Sequence, residues 1–144
     1  MIQVMLMILL AGCGMAEPTA QGEGTMRAEL QLFSGRPNPT WNLTQAQIEQ
    51  FSTRLQALAE IRDGEADDGL GYWGIIVQAI TPTNGNGTMR QITISRGIVI
   101  VEQGGSRRTY ADSNRELERW LFQTSRNQID QAIYDMIARD LGIT

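Results

Sequence analysis

Carboxylates are the side chains best placed for proton transfer or metal binding near neutral pH in this chain. Histidine and lysine are absent, and Cys13 is the single cysteine. That removes the usual imidazole base and ligand, the Schiff-base amine and, beyond residue 13, the thiol nucleophile. Asp63, Glu65, Asp67 and Asp68 cluster behind a helical stretch, where a calcium loop would begin. An EF-hand loop wants Gly at its sixth position and Glu at its twelfth. Counted from Asp63, those places hold Asp68 and Gly74. The segment therefore reads as a solvated acidic loop, and no metal or cofactor is expected. A glycosidase needs two carboxylates positioned in a cleft. Asp112, Glu116 and Glu118 supply the residue type, but no spacing selects a pair. Glu116 also has a capping role, set out below. No enzymatic activity is expected.

Two further constellations have a functional and a bland reading. Tyr72, Trp73, Tyr110 and Trp120 would suit a sugar-stacking surface, but aromatics in a small domain belong more often to the core and its edge. Arg107-Arg108 follows Gly104-Gly105 and reads as a solvated hairpin tip rather than an anion site. The net charge is −4 and the isoelectric point about 4.8. That balance excludes the basic footprint expected of a nucleic-acid partner.

Residues 1–10 (MIQVMLMILL) are apolar and end in Leu10-Ala11-Gly12-Cys13. The run falls short of the roughly 20 apolar residues a spanning helix needs. It fits the ~7–15 residues of a signal-peptide apolar region. The four-residue segment resembles the lipobox of bacterial lipoproteins, in which a peptidase cuts before the Cys and the Cys becomes the lipidated first residue. The resemblance implies a signal peptide over 1–12, lipidation of Cys13 and stable attachment to a membrane of the bacterial cell envelope. Gly14, where an Asp would retain the protein at the inner membrane, implies the outer membrane in a Gram-negative cell. The segment departs from that class in having no Lys or Arg before the apolar run. Small, polar and Gly/Pro-containing residues follow (GMAEPTAQGEGT), so 13–25 reads as the lipidated Cys and a flexible spacer. That leaves 26–144 as a single domain, long enough for its own core.

Within that domain the periodicity predicts β-α-β-β-β-β-α-α. Residues 27–33 alternate as a half-buried strand. Thr44 and Gln47 form a capping box opening a helix over about 44–61, with Ile48, Phe51, Leu55 and Leu58 on its stripe. Residues 72–80 are apolar on both faces, which predicts a central strand with Ile76 in the core. Strands over 89–95, 98–103 and 107–111 follow. They are joined by turns at Arg96-Gly97 and Gly104-Gly105; an Asn-Gly turn precedes them. A second capping box, Ser113 with Glu116, opens a helix over 114–125. A last helix starts at Asn127 and carries Ile129, Ile133, Met136, Ile137 and Leu141, with Gly142 just past its end. Short connections make the sheet mostly antiparallel. Helices cover it, so the fold class is α+β.

The most distinctive segment is Phe33-Ser34-Gly35-Arg36-Pro37-Asn38-Pro39-Thr40-Trp41. Each Pro fixes its own φ, and each restricts the residue before it to extended conformations. The loop is irregular but stiff. It resembles an FSGRPNPxW segment of uncharacterised bacterial secreted proteins. Gly71-Tyr72-Trp73-Gly74 and Leu117-Glu118-Arg119-Trp120-Leu121 look like parts of the same pattern, which implies no activity. Arg36, Asn38 and Trp41 are the candidate partner-binding residues, with Trp41 as an anchor. In the competing structural reading Trp41 packs beneath the loop and Arg36 bonds nearby carbonyls. The functional expectation is a lipid-anchored envelope protein that engages another protein through its loops. The alternatives are a carbohydrate- or peptidoglycan-binding module and an inhibitor of an envelope hydrolase.

Overall fold

A computed structural model describes residues 24–66, 71–81 and 88–143. Cys13, the spacer up to residue 23, Asp67, Asp68 and the Asn-Gly turn lie outside the described residues. Seven strands form one antiparallel sheet: β1 (Thr25–Gln31), β2 (Thr40–Asn42), β3 (Ala59–Ile61), β4 (Gly74–Thr81), β5 (Thr88–Ser95), β6 (Ile98–Gln103) and β7 (Ser106–Ala111). Their order across the sheet is β2-β1-β4-β5-β6-β7-β3. Helices α1 (Gln45–Gln56), α2 (Glu116–Gln123) and α3 (Gln131–Asp140) complete an α+β fold. The strand β1 opens at Thr25, within the stretch read as spacer.

Local chemistry sets many of the boundaries. Thr44 accepts from the Gln47 N–H, and the Gln47 side chain accepts from the Thr44 N–H, closing the expected capping box. The tight turns take Arg96-Gly97 (φ 45 and 89°) and Gly104-Gly105 (φ 56 and 79°), the left-handed pairs that match strand twist. At the end of α3, the Gly142 N–H reaches the Arg139 carbonyl and the Ile143 N–H reaches that of Ala138. This is the left-handed C-terminal cap that Gly142 suggested.

Several expectations need correction. Two three-residue strands, β2 and β3, stand at the two edges of the sheet. Helix α1 stops at Gln56 rather than 61, because Ala59–Ile61 pairs with the free edge of β7. Short edge strands of this kind leave little backbone for a foreign strand to pair with. Helix α2 begins at Glu116, not 114, after a 3₁₀ turn over Ser113–Arg115. The cap is Asp112, not Ser113 with Glu116: its carboxylate accepts from the Leu117 N–H at 2.9 Å and the Glu118 N–H at 3.0 Å. A carboxylate there also meets the positive end of the helix. Helix α3 begins at Gln131 under an Asp130 cap rather than at Asn127, which sits left-handed at φ 66°.

Register places the core. Ala28 pairs with Val77, Val77 with Ile92, and Ile92 with Val101. Leu30, Ile75, Ile94 and Val99 form the next row. All eight are buried, and they share a core with Phe51 and Leu55 of α1, Leu117, Leu121 and Phe122 of α2, and Tyr134 and Ile137 of α3. Phe122 stacks on Tyr134 with ring centroids 4.7 Å apart, fixing α2 against α3. Ile76 belongs to the other face of β4 and is only half-buried, so the expected phase of that strand is off by one residue. In α3, Tyr134 and Ala138 take the inward places, while Ile133 is half-buried and Met136 is exposed.

Candidate functional site

The loop between β1 and β2 is held at both ends. The Leu30 N–H reaches the Pro39 carbonyl at 2.9 Å. The side-chain oxygen of Asn38 accepts from the Phe33 N–H at 2.8 Å and the Leu32 N–H at 3.2 Å. The amide nitrogen of Asn38 donates to Glu29 Oε1 at 3.2 Å and Gln31 Oε1 at 3.4 Å. Gln31 in turn donates to Glu29 at 2.9 Å. Asn38 therefore closes the loop on β1, as Asn side chains often do in tight connections. Trp41 is 3% exposed, on the helix-covered face, and its indole N–H donates to Thr124 Oγ1 at 2.8 Å. It ties the loop's far end to the end of α2.

Arg36 has a different environment. It is exposed, and its guanidinium carbon lies 3.5 Å from the centroid of the half-buried Phe33 ring. Gly35 permits the approach with a left-handed φ of 88°. The three sequence candidates thus separate. Arg36 stands at the tip with Phe33, Asn38 fixes the loop from within, and Trp41 lies in the core.

The carboxylates considered for catalysis form a second cluster. Glu118 is fully buried. Its Oε1 accepts from the Tyr72 hydroxyl at 2.7 Å and from Arg115 Nη2 at 3.1 Å, and its Oε2 from Arg115 Nε at 2.8 Å. Arg115 also reaches Asp140 at 3.5 Å. Burial, then the adjacent Glu118 charge, push the Tyr72 phenol far above its usual range, so it remains a donor. The hydrogen bond to Glu118 raises Arg115 further and keeps it charged. Burial raises the Asp112 carboxyl above the ordinary carboxylate value, opposed by the backbone N–H groups of Leu117, Glu118 and Glu116. Both oxygens of Glu118 are occupied by donors of this chain. The arrangement is a strut from α2 to the segment entering β4, and Arg115 pays for its bidentate grip with a left-handed φ of 56°.

This strut also explains the two short patterns in the sequence. Tyr72 of the first meets Glu118 of the second across 46 residues. Gly74 has φ 149°, and a Cβ there would lie 2.3 Å from the Ile94 carbonyl oxygen, so only glycine fits. Trp120 of the second pattern stacks on Phe51, centroids 6.4 Å apart. Tyr72 is buried, so it is unavailable for sugar stacking. Asp63 and Glu65 share a shallow surface with Arg62 and Arg107. No group of potential ligands among the described residues is arranged to hold a metal. Arg107 and Arg108, adjacent on β7, point to opposite faces of the sheet. Set against protein-family models, curated proteins and solved structures, the chain matches none.

Proposed function

We propose that this chain is a lipid-anchored, non-catalytic binding module of the bacterial cell envelope. Its protein partner is engaged at the tip of the β1–β2 loop. The observation that carries this reading is the Phe33–Arg36 stack, exposed on a loop that Asn38 and Trp41 hold in place. Binding costs less when the contacting loop is already ordered. Arginine and aromatic residues are the side chains that most often dominate an interface. Leu32, beside Phe33 in the chain, lines a shallow cavity of about 240 Å³ with Tyr72, Arg96, Met136, Ile137 and Asp140, which offers mixed apolar and charged contact. The lipobox-like Leu10–Cys13 segment supports the address, and a tether suits a protein that waits at a membrane for its partner.

The test is capture from detergent-solubilised envelope, with the wild-type chain and Arg36→Glu as baits. The wild type is expected to retain a stoichiometric protein. Charge reversal should abolish retention and leave the thermal midpoint within about 4 °C, because Arg36 is exposed and its ring contact is worth only ~0.5–1 kcal/mol. Equal retention by both baits, or none by either, contradicts the proposal.

A further inference from the structure

We infer that the helix-side face of the sheet carries an oxyanion-binding pocket at the far end of β5, β6 and β7. It takes a carboxylate or phosphate group borne by a small hydroxylated molecule. Arg90, Val101, Gln103, Ser106, Arg108 and Tyr110 line a cavity of about 300 Å³. Register explains why they meet. Arg90 pairs with Gln103, Gln103 with Ser106, and Val101 with Arg108, so these side chains share one face in two adjacent rows. Tyr110 lies two residues along β7 on that same face. The two arginines line one cavity from strands roughly 10 Å apart, on either side of β6.

Arg90 breaks the pattern of its strand. Positions 90, 92 and 94 face the helices, and Ile92 and Ile94 are fully buried. The neighbour of Arg90 on β4 is Ala79, 5% exposed. A cation at a core margin is expensive unless something pairs with it. The Arg90 Nε is buried and has no hydrogen-bond partner among the described residues. No ion pair among the described residues involves Arg90 or Arg108. No carboxylate among the described residues lines the cavity, although the chain as a whole carries a net charge of −4. The acid nearest in register on this face is the exposed Glu60, opposite Tyr110 on the edge strand β3. Glu102, adjacent in sequence, belongs to the other face.

Two guanidinium forks suit an oxyanion, because each can offer paired N–H donors to two oxygens. Ser106, Gln103 and Tyr110 add neutral groups suited to hydroxyls around the charge. The cavity has the size of the smallest ligand sites. Neither the lipid anchor nor the β1–β2 loop enters this inference.

The experiment uses the full chain in non-ionic detergent and phosphate-free buffer. Arginine Nε–H signals are followed by NMR during titration with glucuronate, glucose 6-phosphate and glucose. At least one of the two anionic sugars should shift the Arg90 Nε–H signal saturably, and glucose should leave it unmoved. A response to only one of them identifies the oxyanion as carboxylate or phosphate. Arg108→Gln should weaken binding about tenfold, the loss of one charge-assisted contact, and Arg90→Gln should abolish it. Should Arg90→Gln fail to fold, the exposed Arg108 still decides the matter. Silence of Arg90 toward both anionic probes overturns the inference. So does equal binding of glucose, or wild-type affinity in Arg108→Gln.

Discussion

Replacing Asn38 with Ala should destabilise the fold far more than replacing its exposed neighbour Arg36. The Asn38 oxygen satisfies two backbone N–H groups, those of Phe33 and Leu32. Leaving a buried donor unpaired costs about 1–3 kcal/mol. Leu32 and Phe33 are half-buried, so water can partly replace the lost acceptor. The low end, about 1 kcal/mol for each, is therefore appropriate, giving roughly 2 kcal/mol in all. For a domain of this size that lowers the thermal midpoint by about 8 °C. Arg36→Ala loses only a solvent-exposed ring contact, ~0.5–1 kcal/mol. Asn38→Asp separates the two halves of the side chain. It keeps the acceptor, removes the donor and sets a carboxylate against Glu29. Urea unfolding of the three variants, monitored by tryptophan fluorescence, gives the values. An Asn38→Ala variant within about 0.3 kcal/mol of wild type would refute the claim that this side chain closes the loop.

Three further outcomes follow from the same geometry. Ile75→Ala, at a fully buried site, should cost about 2–5 kcal/mol, whereas Ile76→Ala on the opposite face should cost under about 1.5 kcal/mol; equal losses in denaturant melts would mean that the phase of β4 is wrong. Asp112 has a raised pKa, so its contribution to stability is fullest below the unfolded value near 3.8 and is lost as pH rises through the folded value. The stability of wild type relative to Asp112→Asn should therefore decline as pH rises above about 3.8, and an unchanged or rising difference would contradict the assigned burial. Charge reversal at Arg36 should abolish partner capture without lowering the folded fraction.

Features held within a few residues were legible in the sequence. The Thr44–Gln47 box and the glycine turns at 97 and 105 depend on neighbours in the chain, and they form as read. Strands β2 and β3 were not legible, because three residues have no period and their pairing is set by edges formed elsewhere. The phase of β4 was hidden by its apolar residues on both faces, which is the condition under which a one-residue slip goes unmarked. The Asp112 cap replaced the Ser113–Glu116 box because a left-handed turn at Asn114 and Arg115 moves the helix start to Glu116, where a carboxylate five and six residues upstream reaches the Leu117 and Glu118 N–H groups. At the loop, the two prolines announced stiffness, but they could not say that Asn38 faces inward while Arg36 lies over Phe33. The Arg90–Arg108 pocket joins residues 18 apart through two strand pairings, so no local pattern marked it.

The proposed envelope address rests on a tether at Cys13, which lies outside the described residues. Intact-mass measurement of the mature chain, extracted from the membrane fraction of the producing cells, tests that tether directly. The account predicts a chain beginning at Cys13, heavier than its sequence by the mass of the attached acyl groups, and absent from the membrane fraction when Cys13 is Ala. An unmodified Cys13, or residues 1–12 still present on the mature protein, would contradict it.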